Sequence, residues 1–343
     1  MKSFKRKRDG DGVDDGGATH GCKRGNPKSA LQGSLNAGGD AGDAGVKGPL
    51  DSAHLALLTA HGYVVVPDVL SREELRLLQQ ECALLYAHVH VDEEIAAEVV
   101  VEQGCVLDVM ADCPMQETAA ARVSADAYLR ARETQFRTRC GDAHLALRTN
   151  ELMKTLLFDK LPSYAAAVMG AARREEGNNV LFFNEHYVVK PPQTAVEFRW
   201  HRDDDEQLGM CVHRASIPPY LSAWCALDDV TVRNGPLRFV SQLLAPSEAL
   251  DDNDESACGA TGLTEAELES RATDPILAAA GTVIFFLSDV WHCSSCNESD
   301  MMRRAFYAQY SIEKITATPT DPWPLSFAIP CQPDPQYHAL TQE

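Results

Sequence analysis

The chain has 343 residues, 45% of them hydrophobic, enough for one sizeable core. Its net charge is −19, and residues 1–50 hold nine Lys/Arg against six Asp, so the remainder carries −22; a body that acidic disfavours broad nucleic-acid binding. No stretch approaches the roughly 18 consecutive apolar residues that a membrane span needs.

Residues 1–50 hold 12 of the 22 glycines and few large apolar groups, so they are expected to be a disordered basic tail. Its run Lys5-Arg6-Lys7-Arg8, with Lys23-Arg24 behind it, is a weak nuclear-import signal as well as a plausible solubilising patch. Eleven cysteines without framework spacing, and no apolar leader, favour reduced thiols in the cytoplasm or nucleus.

Order is expected from residue 51. A short helix over 52–61 is stopped by Gly62, and 63–67 is a strand. Ser71 and Glu74 form a capping box for a long helix whose apolar face is Leu75, Leu78, Cys82 and Leu85. A second helical stretch covers about 145–170, which makes 51–175 a helical support. From 179 to 312 the texture changes to short strands: 180–183, 186–189, 221–228, 236–240, 281–287 and 304–311. In the last, Ala305, Tyr307 and Gln309 alternate with Phe306, Ala308 and Tyr310. Residues 242–280 are a polar insertion, either lid or surface excursion, with one short helix capped by Thr264 and Glu267. Residues 321–343 are a C-terminal tail. Short strands joined by Gly, Pro and Asn turns indicate a closed or two-sheet antiparallel structure.

His201 and Asp203 are two apart, and on a strand such residues share a face. His292 follows the strong strand 281–287. Two imidazoles and one carboxylate on one side of an octahedral ion leave positions open for co-substrate and O₂. Cys293 and Cys296 make a Cys-x-x-Cys beside His292, but no second pair offers four zinc ligands.

The stretch from Lys190 to Tyr310 resembles the phytanoyl-CoA dioxygenase family. Lys190-Pro191-Pro192 precedes Trp200-His201-Arg202-Asp203. Ala223-Trp224-Cys225-Ala226-Leu227-Asp228-Asp229 is followed by Asn234-Gly235-Pro236-Leu237. Gly281-Thr282-Val283-Ile284-Phe285-Phe286 leads to His292, with Ser294, Asn297 and Arg303 beyond. His61-Gly62-Tyr63 through Ser71 is similar to the family's opening strand and helix.

The resemblance implies a mainly β fold with flanking helices: a double-stranded β-helix, or jelly-roll, of cupin type, in a domain over 51–320. It implies an Fe(II)/2-oxoglutarate-dependent dioxygenase that consumes O₂ and releases succinate and CO₂, with ascorbate as a possible support. By the same resemblance His201, Asp203 and His292 hold iron, and Arg303 rather than Arg304 clamps 2-oxoglutarate. Lys190, Trp224 and Ser294 line that pocket, Trp224 being equally readable as barrel packing. His186 and His213 are near enough in sequence to face the substrate, though His213 reads rather as a surface histidine. A carboxylate at Asp203 argues against halogenation. The expected substrate is a small organic or lipid-like molecule; a nuclear protein or nucleobase, or a silent ligand-binding role, are the alternatives. The chain ends Thr341-Gln342-Glu343 rather than in a peroxisomal Ser-Lys-Leu, which speaks against phytanoyl-CoA itself. Val240-Ser241-Gln242-Leu243 replaces the family's frequent Pro-Gly-Ser-His, so the next loop is rebuilt.

Overall fold

The structure, a computed structural model, describes residues 50–89, 105–110, 124–143, 150–170, 180–209, 211–241 and 263–332. All belong to one compact unit, Gly48–Glu343. The basic tail, residues 242–262 of the insertion and the last eleven residues lie outside the described residues.

Helix α1 (Ser52–His61) ends at Gly62, whose φ of 78° is a left-handed geometry that glycine adopts without a Cβ penalty. Strand β1 (Tyr63–Val66) follows directly. Helix α2 (Arg72–Val89) opens with the expected capping box: Glu74 N–H donates to Ser71 Oγ at 3.2 Å, and Ser71 N–H donates to Glu74 Oε2 at 2.6 Å. Its buried face is Leu77, Leu78, Cys82 and Leu85 together with Glu74 and Glu81; Leu75 is only half buried. Strand β2 (Val106–Asp108) and helix α3 (Ala125–Cys140) come next. The helical stretch expected over 145–170 is described from 150 and is not uniform: α4 (Asn150–Lys154), a π-helical turn Thr155–Lys160, then α5 (Leu161–Gly170).

The β elements are β3 (Leu181–Lys190), β4 (Phe198–His201), β5 (Leu221–Ala226), β6 (Leu237–Phe239), β7 (Val283–Leu287), β8 (His292–Ser294), β9 (Arg303–Ser311) and β10 (Ile329–Pro330). Two short helices interrupt them, α6 (Asp203–Gln207) and α7 (Glu265–Arg271). The major sheet runs β1-β7-β5-β9-β3-β10, with β2 also pairing β3; the minor sheet is β4-β8-β6. All recorded pairs are antiparallel. This is the double-stranded β-helix of the expected class.

Alternation divides the major sheet's two faces. Phe306, Ala308 and Tyr310 pack with the helices in the larger core. Ala305 and Tyr307 pack inward with Val188, Trp224, Ile284 and Phe286, facing Phe239 of the minor sheet. Part of the insertion is anchored rather than free. Thr264 caps α7, Leu268 packs with Trp200 and Trp291, and Glu269 takes hydrogen bonds from Arg238 at 2.5 Å and Trp200 at 3.4 Å.

Three features depart from the sequence reading. Residues 321–343, expected as a tail, include Ile329–Pro330, which forms β10 and pairs with Leu181 and Phe182 of β3. The strands expected at 180–183 and 186–189 are one ten-residue strand with a bulge after Phe182. Its polar middle survives because Glu185, 2% exposed, receives Arg132 Nε at 2.8 Å and Tyr128 Oη at 2.5 Å. The same guanidinium grips Glu81 through two bonds of 2.6 and 2.8 Å, and Tyr187 Oη also donates to Glu81 at 2.9 Å. Helix α3, which carries Arg132, has no visible apolar period because its buried face includes Arg132 and Gln135.

Arg132→Met should therefore strand two buried carboxylates and destabilise the protein by roughly 3–5 kcal/mol. Denaturant unfolding at neutral pH checks this; a loss below about 1 kcal/mol would show that the network is not holding α2, α3 and β3 together.

Candidate metal and co-substrate site

His201 closes β4 and His292 opens β8, and the two are direct partners in the minor sheet. Their ring centroids lie 4.2 Å apart. Asp203 reaches the same point from the first residue of α6, so the shared face comes from a strand end and a helical turn, not from one continuous strand. Ligand-capable atoms of His201, Asp203 and His292 all lie within 4.8 Å of one another.

Backbone carbonyls orient both imidazoles. His201 Nδ1 is 2.7 Å from Arg199 O, and His292 Nδ1 is 3.0 Å from Val290 O. A carbonyl only accepts, so each Nδ1 carries the proton and each Nε2 keeps its lone pair for the centre. His292 Nε2 is buried without a hydrogen-bond partner, 3.4 Å from Asp203 Oδ1. The other carboxylate oxygen is occupied: Asp203 Oδ2 accepts from Ser222 Oγ at 2.5 Å and from Gln309 Nε2 at 3.2 Å. One oxygen is thus held and one is bare.

The charges follow this layout. Burial pushes the Asp203 carboxyl up, but the facing His292 and His201 rings and the Ser222 hydroxyl outweigh it and bring it to about 2. Burial, then the neighbouring His292, takes His201 down to about 4. For His292 the burial penalty is overcome by Asp203, and it is raised. Negative charge and lone pairs converge where a cation would sit, with no cationic side chain among the three. The donor set suits ferrous iron. Asp204 and Asp205 are engaged elsewhere, by Arg214 at 2.8 and 2.6 Å and, for Asp205, by Arg202.

The inward rows of the major sheet carry the rest. Asn184, Gln309, Ser222 and Phe286 form one row, and His186, Tyr307, Trp224 and Ile284 the next. Lys190 and Arg303 face each other at the far end, where Pro191-Pro192 stop β3. Arg303 is 1% exposed and has no acidic partner among the described residues. Its Nη2 donates to Gly235 O at 2.7 Å, its Nε to Asn234 O at 3.4 Å, and its Nη1 is buried and unpartnered. Burial lowers it to about 10, still charged at neutral pH. Trp224 lies under it, 5.4 Å from guanidinium carbon to ring centre. Arg304 is consumed by a bidentate pair with Asp228, at 2.6 and 2.9 Å. Lys190 Nζ donates to Ser294 Oγ at 2.8 Å and Ser294 O at 3.0 Å, and also to Ser295 O, so none of its protons points to a free site.

His186 stacks on Tyr307, centroids 4.6 Å apart, within the pocket rows; His213 is outside them, near Cys211. Cys293 is half buried, and burial pushes its thiol up to about 12, so the free side chain is a thiol rather than a reactive thiolate. Sequence reasoning missed Ser222 and Gln309. Their signal was polar side chains on the inward phase of otherwise apolar strands. It read Gly235 only as a turn residue; its φ of 82° is that, but its carbonyl also seats Arg303.

Ser222→Ala and Gln309→Leu should each weaken divalent-metal binding roughly 10–100-fold while the fold is kept. Titration with Mn(II) or Fe(II), read beside thermal melts, checks this. Gly235→Ala should cost more than either. Its Cβ would meet Ser295 O at 2.6 Å and Lys190 Cδ at 2.9 Å from a left-handed backbone. A Gly235→Ala protein with unchanged melting would refute the tight seat.

No curated protein matches the sequence. Among solved structures, the carbocyclase SnoK of nogalamycin biosynthesis, described as non-haem and α-ketoglutarate dependent, is 18% identical over 78% of this chain and 87% of its own, TM-score 0.48. EctD from S. alaskensis, with bound Fe, is 20% identical over 86% and 92%, TM-score 0.48. AviO1 from Streptomyces viridochromogenes Tue57 is 17% identical over 82% and 100%, TM-score 0.47. The model of the phytanoyl-CoA dioxygenase family matches residues 58–305, more than two thirds of the chain. The chain belongs to that family, and is a dioxygenase dependent on Fe(II), 2-oxoglutarate and O₂.

Proposed function

We propose that the protein hydroxylates a small organic or lipid-like molecule, with Fe(II) on His201, Asp203 and His292 and the distal carboxylate of 2-oxoglutarate on Arg303. The observation that carries this reading is a pair of buried, unfinished groups. His292 Nε2 lacks a partner at one end of the inner face, and Arg303 Nη1 lacks one at the other. Leaving such groups unpaired costs about 1–3 kcal/mol each, and more for a charge. A metal ion would complete His292 Nε2, and the distal carboxylate of a metal-chelating keto acid would complete Arg303 Nη1.

Within this reading the chain's residues have separate tasks. Iron, when bound, couples oxidative decarboxylation of 2-oxoglutarate to oxygen insertion. His201 and His292 present lone pairs because Arg199 O and Val290 O hold their Nδ1 protons. Ser222 and Gln309 keep Asp203 turned, while the facing His292 and His201 rings and the Ser222 hydroxyl keep it ionised. Arg303 offers its free N–H to a carboxylate, and Ser294 offers a hydroxyl beside it. Trp224 backs the guanidinium. Phe239 and Phe286, with centroids 5.9 and 4.8 Å from His292, keep water from that flank.

The inner rows set Phe286, Trp224 and Ile284 beside the polar Asn184, His186 and Tyr307, which favours a substrate of small size with some aliphatic surface, and the −22 charge of residues 51–343 disfavours polyanions. No helix among the described residues is long and apolar enough to cross a membrane. We place the enzyme in cytoplasm or nucleus on the thiol content and the basic tail.

With Fe(II), ascorbate and 2-oxoglutarate, the purified protein should release succinate even without its substrate, and His201→Ala should stop it. Tight 2-oxoglutarate binding without succinate would instead favour a silent binding module. Arg303→Met should raise the KM for 2-oxoglutarate roughly 10–100-fold, the value of a charge-assisted hydrogen bond. A screen of metabolite pools for co-substrate-dependent gain of one oxygen would identify the substrate. Modification of protein or nucleobase alone would displace the small-molecule reading.

A further inference from the structure

Lys190 and Arg303 are opposite each other in the β3–β9 register, so both side chains leave the inner face side by side. They are 0% and 1% exposed, and neither has a carboxylate within ion-pair distance among the described residues. Two adjacent cations sealed from water repel, and one relieves the strain by giving up its proton. Lysine yields before arginine. Burial and the Arg303 charge push Lys190 down to about 6, while Arg303 falls only to about 10. The other ionisable groups facing Lys190 are thiols: Cys105 before β2, Cys293 on β8 and Cys296 beyond it. Burial raises the first two thiols, so they add no compensating charge. The Phe198 ring covers Nζ from 5.1 Å.

The atoms around Nζ accommodate both of its forms. As an ammonium it gives three protons, to Ser294 O, Ser294 Oγ and Ser295 O. The Ser294 hydroxyl then has its own proton to give elsewhere. As an amine it has two protons, one for each carbonyl, and a lone pair that takes the Ser294 proton. Ser294 shares the face of His292 on β8, so the hydroxyl serves Lys190 in one form and is free toward the inner face in the other.

We propose that Lys190 is a positioning residue that takes up one proton when 2-oxoglutarate binds, turning the Ser294 hydroxyl away from Nζ and toward the bound distal carboxylate. The proton comes from solvent and stays on Nζ; the Ser294 O–H bond is rotated, not broken. The carboxylate supplies the negative charge that lets both cations coexist. This rests on the reading that Arg303 receives that carboxylate.

The test is anaerobic calorimetry of 2-oxoglutarate binding to the Fe(II)-loaded protein at pH 7.5, in PIPES and in Tris. These buffers differ in ionisation heat. The observed heats should differ by an amount equal to nearly one proton taken up. 2-Oxobutyrate, a keto acid without the distal carboxylate, should bind with buffer-independent heat. Lys190→Met should lose the uptake. With the wild type, Kd should be nearly flat below about pH 6, where free Lys190 already holds its proton, and should weaken up to tenfold per pH unit above it. Buffer-independent 2-oxoglutarate heats would overturn the proposal alone. So would equal uptake with 2-oxobutyrate, or uptake that persists in Lys190→Met. If that variant does not fold, the keto-acid comparison and the pH profile decide. No 2-oxoglutarate binding at all would sink the co-substrate reading and this proposal with it.

Discussion

The site depends on a carboxylate divided between two duties. Asp203 gives one oxygen to Ser222 and Gln309 and leaves the other bare toward two imidazoles. The first duty explains the second. A buried carboxylate with both oxygens free would rotate or take a proton, since burial favours the neutral acid. Two donors from adjacent strands of the major sheet prevent the rotation, and the facing His292 and His201 rings with the Ser222 hydroxyl hold the charge. The minor sheet supplies the histidines, so the centre forms only where the two sheets meet at the right spacing. Much of the barrel, with its apolar rows and flanking helices, serves to hold that spacing.

The arginines on β9 show the same logic of completion. Neighbours in sequence, Arg303 and Arg304 point to opposite faces. Arg304 is finished by Asp228 and belongs to the architecture. Arg303 is finished by nothing but carbonyls and one ring, and one of its N–H groups stays without a partner. Burial without a counter-charge is costly in a folded protein, and it is tolerated where function uses it.

Much of this was legible in the sequence, for physical reasons. Gly62, the Ser71–Glu74 box and the Thr264–Glu267 box are local signals, and local signals survive without tertiary context. The β9 alternation separated inward Tyr307 and Gln309 from outward Phe306 and Tyr310 because the strand has a clear period of two. His201, Asp203, His292 and Arg303 stood out through motif resemblance, and the fold brings the first three to one point. What stayed hidden was polar burial. Helix α3 has no readable stripe because Arg132 lies on its buried side, and β3 was divided in two because the polar Asn184 and Glu185 interrupt its apolar run. The short helix carrying Asp203 was hidden too, since His-x-Asp fits a strand equally well.

Strand β3 has a double allegiance. Its Glu185 and Tyr187 are bolted to the helical layer through Arg132 and Glu81, while His186 and Lys190 stand on its other face, opposite Tyr307 and Arg303. The helices are remote from any chemistry, yet they set the height at which those inward side chains stand. They work as a gauge block behind the wall. An altered helix would shift His186 and Lys190 without touching either side chain.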